Sequence, residues 1–112
     1  MYCMSDLQML INKIRQFNTE RDWSQFHNAK DLALAISIEA AELNELFLWK
    51  KAEEADAEKV KEELADIFTY ALQLADKYGF DVGQIVADKI EKNALKYPVD
   101  KAKGSAKKYN EL

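Results

Sequence analysis

Two pairs of carboxylates are spaced to work together. Glu39 and Glu42 lie three residues apart in ISIEAAELNELFLWKK, and Glu63 and Asp66 lie three apart in KEELADIFTY. Helical residues at this spacing face the same way, so each pair is a half-site for a cation. Glu62 stands beside Glu63, and the spacing to Asp66 selects Glu63. If the two segments form an antiparallel helical hairpin, the four carboxylates meet across its seam and repel one another unless opposite charge is close. An all-oxygen set with no cysteine and no convergent histidine suits a hard ion, Mg2+ or Mn2+, rather than Zn2+. A di-iron carboxylate bundle would need Glu-x-x-His pairs, and the single histidine, His27, falls in a loop. Acids at this spacing are also common on solvated helix faces. Glu39, however, sits in an apolar stripe, where an unpaired glutamate is rare.

Other residues have chemistry to offer such a site. Tyr70 follows Asp66 by one turn on the same face, where its hydroxyl can meet a phosphate or a sugar, although an ordinary core tyrosine fits the same pattern. Lys89 and Asn93 are one turn apart on a later helix. Asn93 lies in an apolar stripe, where an amide needs a neighbour or a ligand to bond. Lys89 can neutralise a phosphate or stand as a surface lysine. Trp23, Phe26, His27 and Trp49 offer flat rings for stacking on a base, and His27 can also hydrogen-bond its edge. A loop tryptophan equally often plugs a core.

These residues need helices to place them. SDLQ is a capping-box-like start, and Leu7, Leu10, Ile11, Ile14 and Phe17 follow at helical spacing, which predicts a helix from about Ser5 to Glu20. RDWSQFHNAKD has no clean period and reads as an aromatic loop ending in an Asn28 cap. A second helix is expected over about Ala29 to Lys51, with Leu32, Ile36, Glu39, Leu43 and Leu46 on one stripe. The solvated stretch KKAEEADAEKVKEE then supplies a hairpin connection with Asp56 as a cap. The third helix is expected over Ala57 to Tyr78, ended by Gly79 in the left-handed conformation. Asp81 and Gln84 cap a fourth, which runs until Pro98. The tail VDKAKGSAKKYNEL is basic, and its Gly-Ser break favours mobility, with Tyr109 able to anchor its end. The expected fold is therefore all-α, a four-helix bundle.

Size and charge narrow the partners. The chain has 112 residues, enough for one domain over residues 1–112 with a single core. Its net charge of −4 argues against a nucleic-acid duplex, whose binding needs basic patches. No apolar run approaches the roughly 20 residues of a membrane span. The lone Cys3 cannot form an internal disulfide, and MYCMSDLQML carries no basic segment leading into an apolar run and a cleavage site, so the cytoplasm is expected.

RDWSQFHNAKDLALAISIEAAELNELFLWK, KEELADIFTYALQLADKYGFD, DKIEKNALKYP and KGSAKKY follow one another in this order. Together they resemble the MazG-like nucleotide pyrophosphohydrolases, nearest to the dCTP pyrophosphatase branch of the all-α NTP pyrophosphatases. The resemblance covers about residues 15–109 and rests on E-x-x-E, E-x-x-D and K-x-x-x-N-x-x-x-Y-P on successive helices behind a W-x-x-F-H loop. It implies hydrolysis of a nucleoside triphosphate, with dCTP favoured, to the monophosphate and pyrophosphate, with Mg2+ held by the acid pairs. Glu39, Glu42, Glu63 and Asp66 then match metal ligands or the base that activates water. Lys89, Asn93 and Tyr70 match positions that meet triphosphate or sugar, and Trp23, His27 and Trp49 match the pocket for the base. Lys30, in the same segment, can touch phosphate. The family's assemblies, dimers or dimers of dimers with pockets near subunit contacts, imply a homotetramer. A non-catalytic helical module that binds nucleotide or regulates a partner is the alternative, and pyrophosphate release separates the two.

Overall fold

The computed structural model describes residues 5–112, so Cys3 lies outside the described residues. The Ser5 hydroxyl accepts a hydrogen bond from the Gln8 N–H at 3.1 Å and opens α1, Asp6–Glu20. Past its end, Asp22 adopts a φ of 54°, a left-handed conformation open to a short polar residue at modest cost. The Gln25 side-chain amide donates to both the Asp22 carbonyl, at 3.0 Å, and its carboxylate, at 2.9 Å, which fastens this corner. The expected aromatic loop is there, and it contains one tight 3-10 turn, Ser24–Phe26.

Asn28 accepts from the Asp31 N–H at 2.9 Å and starts α2, Ala29–Glu45. The sequence pattern carries this helix on to Lys51, but the structure ends it at Glu45. From Leu46 the backbone tightens into i to i+3 bonds, Leu46 to Leu43, Phe47 to Asn44 and Leu48 to Glu45, and Trp49 at φ 62° turns the chain out of the helix. A left-handed tryptophan costs steric energy that an apolar periodicity does not register.

Asp56 accepts from the Glu58 N–H at 3.0 Å and begins α3, Ala57–Tyr78, which Gly79 closes at φ 70°. Asp81 accepts from the Gln84 N–H at 3.0 Å and begins α4, Val82–Lys96. A single turn, α5, Val99–Ala102, follows Pro98. The four expected helices are thus present, and no strand occurs among the described residues.

The helices divide into two compact units. The first runs up to Phe80, and the second is Asp81–Leu112. In the first, α2 and α3 pair as the expected hairpin, and α1 lies against α3. Its buried residues are Ile11, Leu32, Leu72, Ala75 and the polar Asn18. Arg15 of α1 clamps Asp76 of α3 with a bidentate pair, Nε donating to Oδ2 at 2.8 Å and Nη2 to Oδ1. In the second unit Tyr109 packs edge-on against Tyr97, ring centroids 6.2 Å apart, with the Lys96 ammonium 5.0 Å from the Tyr109 ring centre. Tyr109 is therefore anchored, as its position in the tail allows.

Candidate metal and nucleotide site

Pairing of α2 with α3 brings three carboxylates together. One oxygen each from Glu39, Glu63 and Asp66 lies within 4.8 Å of the other two. Glu39 and Glu63 are half-buried, and each keeps Oε2 away from solvent with no hydrogen-bond partner. A buried acceptor left unpaired is costly, and a cation removes that cost. The orphaned oxygens and the oxygen-only donor set therefore fit a hard divalent ion.

The electrostatics agree. Desolvation, then the Glu42 and Glu63 carboxyls beside it and the charges of Glu42 and Asp66, push the Glu39 carboxyl up to about 7. Glu63 is raised too, first by desolvation, with Glu42 and Asp66 adding to it and its bond to Glu39 opposing. Glu42 is exposed and lies beside the trio rather than in it, close enough to act on both Glu39 and Glu63. Glu62 is exposed outside the group, so the spacing argument for Glu63 selects the residue that joins it.

One cavity, of about 610 Å3, joins Asp66 of the trio to the aromatic loop. Asp66 and Tyr70 line it from α3, and Trp23 and His27 line it from the loop. Desolvation and the negative charges of Glu39, Asp66 and Glu42 raise the Tyr70 phenol above its usual range, so it stays a hydroxyl and a donor. The loop rings are held in series, Trp23 edge-on to Phe17 at 5.6 Å and to His27 at 6.3 Å between centroids. The backbone N–H of Trp23 donates to the Asn18 carbonyl at 2.9 Å, which ties the loop backbone to the end of α1. His27 Nδ1 is buried without a hydrogen-bond partner.

Of the remaining expected residues, Trp49 and Lys30 do not line this cavity, and Lys89 and Asn93 belong to the second unit. Trp49 is 94% exposed and does not line this cavity. Lys30 sits in the first turn of α2, its ammonium 3.7 Å from the adjacent Asp31. Lys89 and Asn93 are exposed one turn apart on α4, in the second unit. The structure adds two cavity residues, Asn18 and Gln73, which bond to each other. Asn18 falls at helical spacing behind Ile11 and Ile14, and Gln73 falls seven residues past Asp66, so a polar residue in each stripe was the available signal.

Comparison with known proteins follows the same lines. The family model for MazG-like proteins matches residues 34–112. The chain is 41% identical over 105 residues to dCTP pyrophosphatase 1 of Bos taurus and 37% identical over 105 residues to that of Homo sapiens. Each match takes in 87% of this chain and 62% of the relative, so the chain spans less than two thirds of the curated relatives it matches. The crystal structure of a pyrophosphatase from Archaeoglobus fulgidus superposes with a TM-score of 0.80 at 35% identity, covering 88% of this chain and 97% of that one. With its helical hairpin of acids and its matched length, the chain belongs to the MazG-like family.

Proposed function

We propose that this protein is a Mg2+-dependent nucleoside triphosphate pyrophosphohydrolase that converts a dNTP, dCTP by preference, to the monophosphate and pyrophosphate. The observation that carries the reading is the single cavity with Asp66 of the acid trio and Tyr70 on one side and the Trp23 and His27 rings on another. A nucleotide has the same two chemistries, an anionic phosphate chain and a flat base. The relatives named dCTP pyrophosphatase 1 support the choice of substrate.

Glu39, Glu63 and Asp66 would hold the ion. When bound, a divalent cation screens the triphosphate from the carboxylates and polarises its phosphoryl oxygens. Glu42, outside the trio, is the carboxylate left to take the proton of the attacking water. The water oxygen bonds to a phosphorus of the α,β anhydride, and the bridging P–O bond breaks to release pyrophosphate. Tyr70 donates to the sugar or a phosphate, and Trp23 and His27 receive the base. Lys89, Asn93 and, less centrally, Lys30 are the further candidates for contact with triphosphate or sugar, and Trp49, which does not line the cavity of one chain, is a candidate for the base in the assembled oligomer. No covalent intermediate is needed, since positioning and charge stabilisation suffice.

The protein works as one domain, as a homo-oligomer, dimer or tetramer, in the cytoplasm. Support for assembly comes from Ile38 at 58%, Phe68 at 60% and Leu95 at 84% exposure, apolar area that a monomer leaves in water. Among the described residues no helix is long and apolar enough to cross a membrane. Incubation with each of the four dNTPs and four NTPs, with Mg2+ or EDTA, tests the reading. Metal-dependent release of monophosphate plus pyrophosphate is expected, with dCTP fastest. No turnover of any nucleotide overturns it.

A further inference from the structure

The cavity that would take the base has a polar wall with no assigned role. Asn18 of α1, only 7% exposed, donates from Nδ2 to Oε1 of Gln73 on α3 at 2.8 Å. Both residues line the 610 Å3 cavity, and both also line a neighbouring one of about 400 Å3, so the pair stands as a partition between them. His27, with its unpaired Nδ1, is on the same partition.

A carboxamide carries one carbonyl acceptor and one two-hydrogen donor. When two carboxamides bond to each other, one gives a donor and its partner an acceptor. What remains is the carbonyl of Asn18 and the amino group of Gln73, with the second N–H of Asn18 besides. That is the complement of an edge with a ring-nitrogen acceptor next to an exocyclic amine, the N3 and 4-amino edge of cytosine. Turning both amides over together keeps the bond between them and exchanges the free donor with the free acceptor, which suits the N3–H and O4 edge of uracil. The arrangement in the structure, with Asn18 Nδ2 donating to Gln73 Oε1, is the one that suits cytosine.

We infer that the Asn18–Gln73 carboxamide pair reads the hydrogen-bonding edge of the base and sets the preference for cytosine over uracil. The inference rests on the nucleotide reading of the site, but on where the base binds rather than on hydrolysis. A bond that only tied α1 to α3 would change the melting temperature on substitution and leave base preference alone.

The test is calorimetric titration of dCMP and dUMP, with Mg2+, into the wild type, Gln73→Met and Gln73→Glu, with a melting curve for each. Both substitutions keep the length of the side chain. The wild type should bind dCMP about tenfold or more tighter than dUMP, because a site built to bond one edge leaves groups unpaired against the other. Gln73→Met removes the free donor and should bring the two affinities within about twofold. Gln73→Glu keeps the bond from Asn18 but puts an acceptor where the donor was, so the ratio should move toward dUMP, whose N3 carries a hydrogen. An unchanged ratio in folded variants overturns the inference, as does a wild type that binds neither nucleotide. Absent pyrophosphate release overturns the hydrolase reading alone, since the affinity ratio is an equilibrium quantity.

Discussion

Glu39 on α2 and Glu63 on α3 each hold Oε2 buried with no hydrogen-bond partner, and both belong to the trio with Asp66. Two half-buried acids with other carboxyls beside them make an arrangement whose energy depends on pH and on cations.

Removing a trio carboxylate should abolish turnover while the helices persist. Asp66→Asn and Glu39→Gln are each expected to lower kcat/KM by about 100-fold or more at saturating Mg2+. The circular dichroism of α-helix should be retained. Wild-type-like turnover by these variants would remove the metal assignment.

Glu42→Gln should behave differently, because Glu42 lies outside the trio. Turnover is expected to fall by about 100-fold or more, as for loss of a general base. Its Mg2+ affinity, read by titration, should stay close to that of the wild type. A large loss of Mg2+ affinity would place Glu42 among the ligands.

Without metal, stability should fall as pH rises from about 5 to about 7.5. The Glu39 carboxyl is held up to about 7 in the folded chain, so in this window the folded state binds more protons than the unfolded state. The neutral form is favoured by folding, and that contribution is complete below the ordinary glutamate range and lost as pH passes about 7. Melting curves across this range check it, and both Glu39→Gln and added Mg2+ should flatten the slope. A melting temperature that rises over the same interval would contradict this account.

Trp23→Ala should weaken binding more than chemistry. Base stacking on an aromatic ring is worth about 1–3 kcal/mol, so KM is expected to rise roughly tenfold while kcat changes little. Steady-state kinetics separate the two, and a loss confined to kcat would take Trp23 out of the base pocket.

Arg15→Met tests the clamp between α1 and α3. Bonding to Arg15, with smaller charge contributions from Arg15 and Lys77, holds the Asp76 carboxyl below its usual range despite partial desolvation. The Arg15 side chain is 56% exposed, so its loss should cost only about 0.5–1 kcal/mol. Urea unfolding reads the change, and a loss several times larger would mean that the clamp organises the cavity wall beside it.

Much of this was legible in the residues. Asp56 and Gly79 bracket α3 because a cap and a left-handed glycine are chemical signals as well as pattern, and the structure places both ends there. That acids of α2 and α3 meet was legible from their spacing and the hairpin, although the structure groups Glu39, Glu63 and Asp66 and leaves Glu42 beside them. The end of α2 was not, because Leu46–Trp49 continues an apolar run without glycine or proline, and the left-handed turn at Trp49 is decided by local backbone bonds. The Arg15–Asp76 clamp joins residues 61 apart, and helical periodicity carries no information across that distance. Asn18 and Gln73 looked like polar interruptions of two stripes until α1 was laid against α3.

Trp49 leaves the protein with an optical handle of its own. The chain has two tryptophans, Trp23 at 44% and Trp49 at 94% exposure, and the second sits almost wholly in water at the tip of its turn. An indole so placed emits at long wavelength and is open to a soluble quencher such as iodide. Whatever dries that turn, a base stacked on the ring or a second copy of the chain, shifts the emission to the blue and shields it from quenching. The order in which nucleotide, metal and subunits come together can therefore be followed in real time on the unlabelled protein.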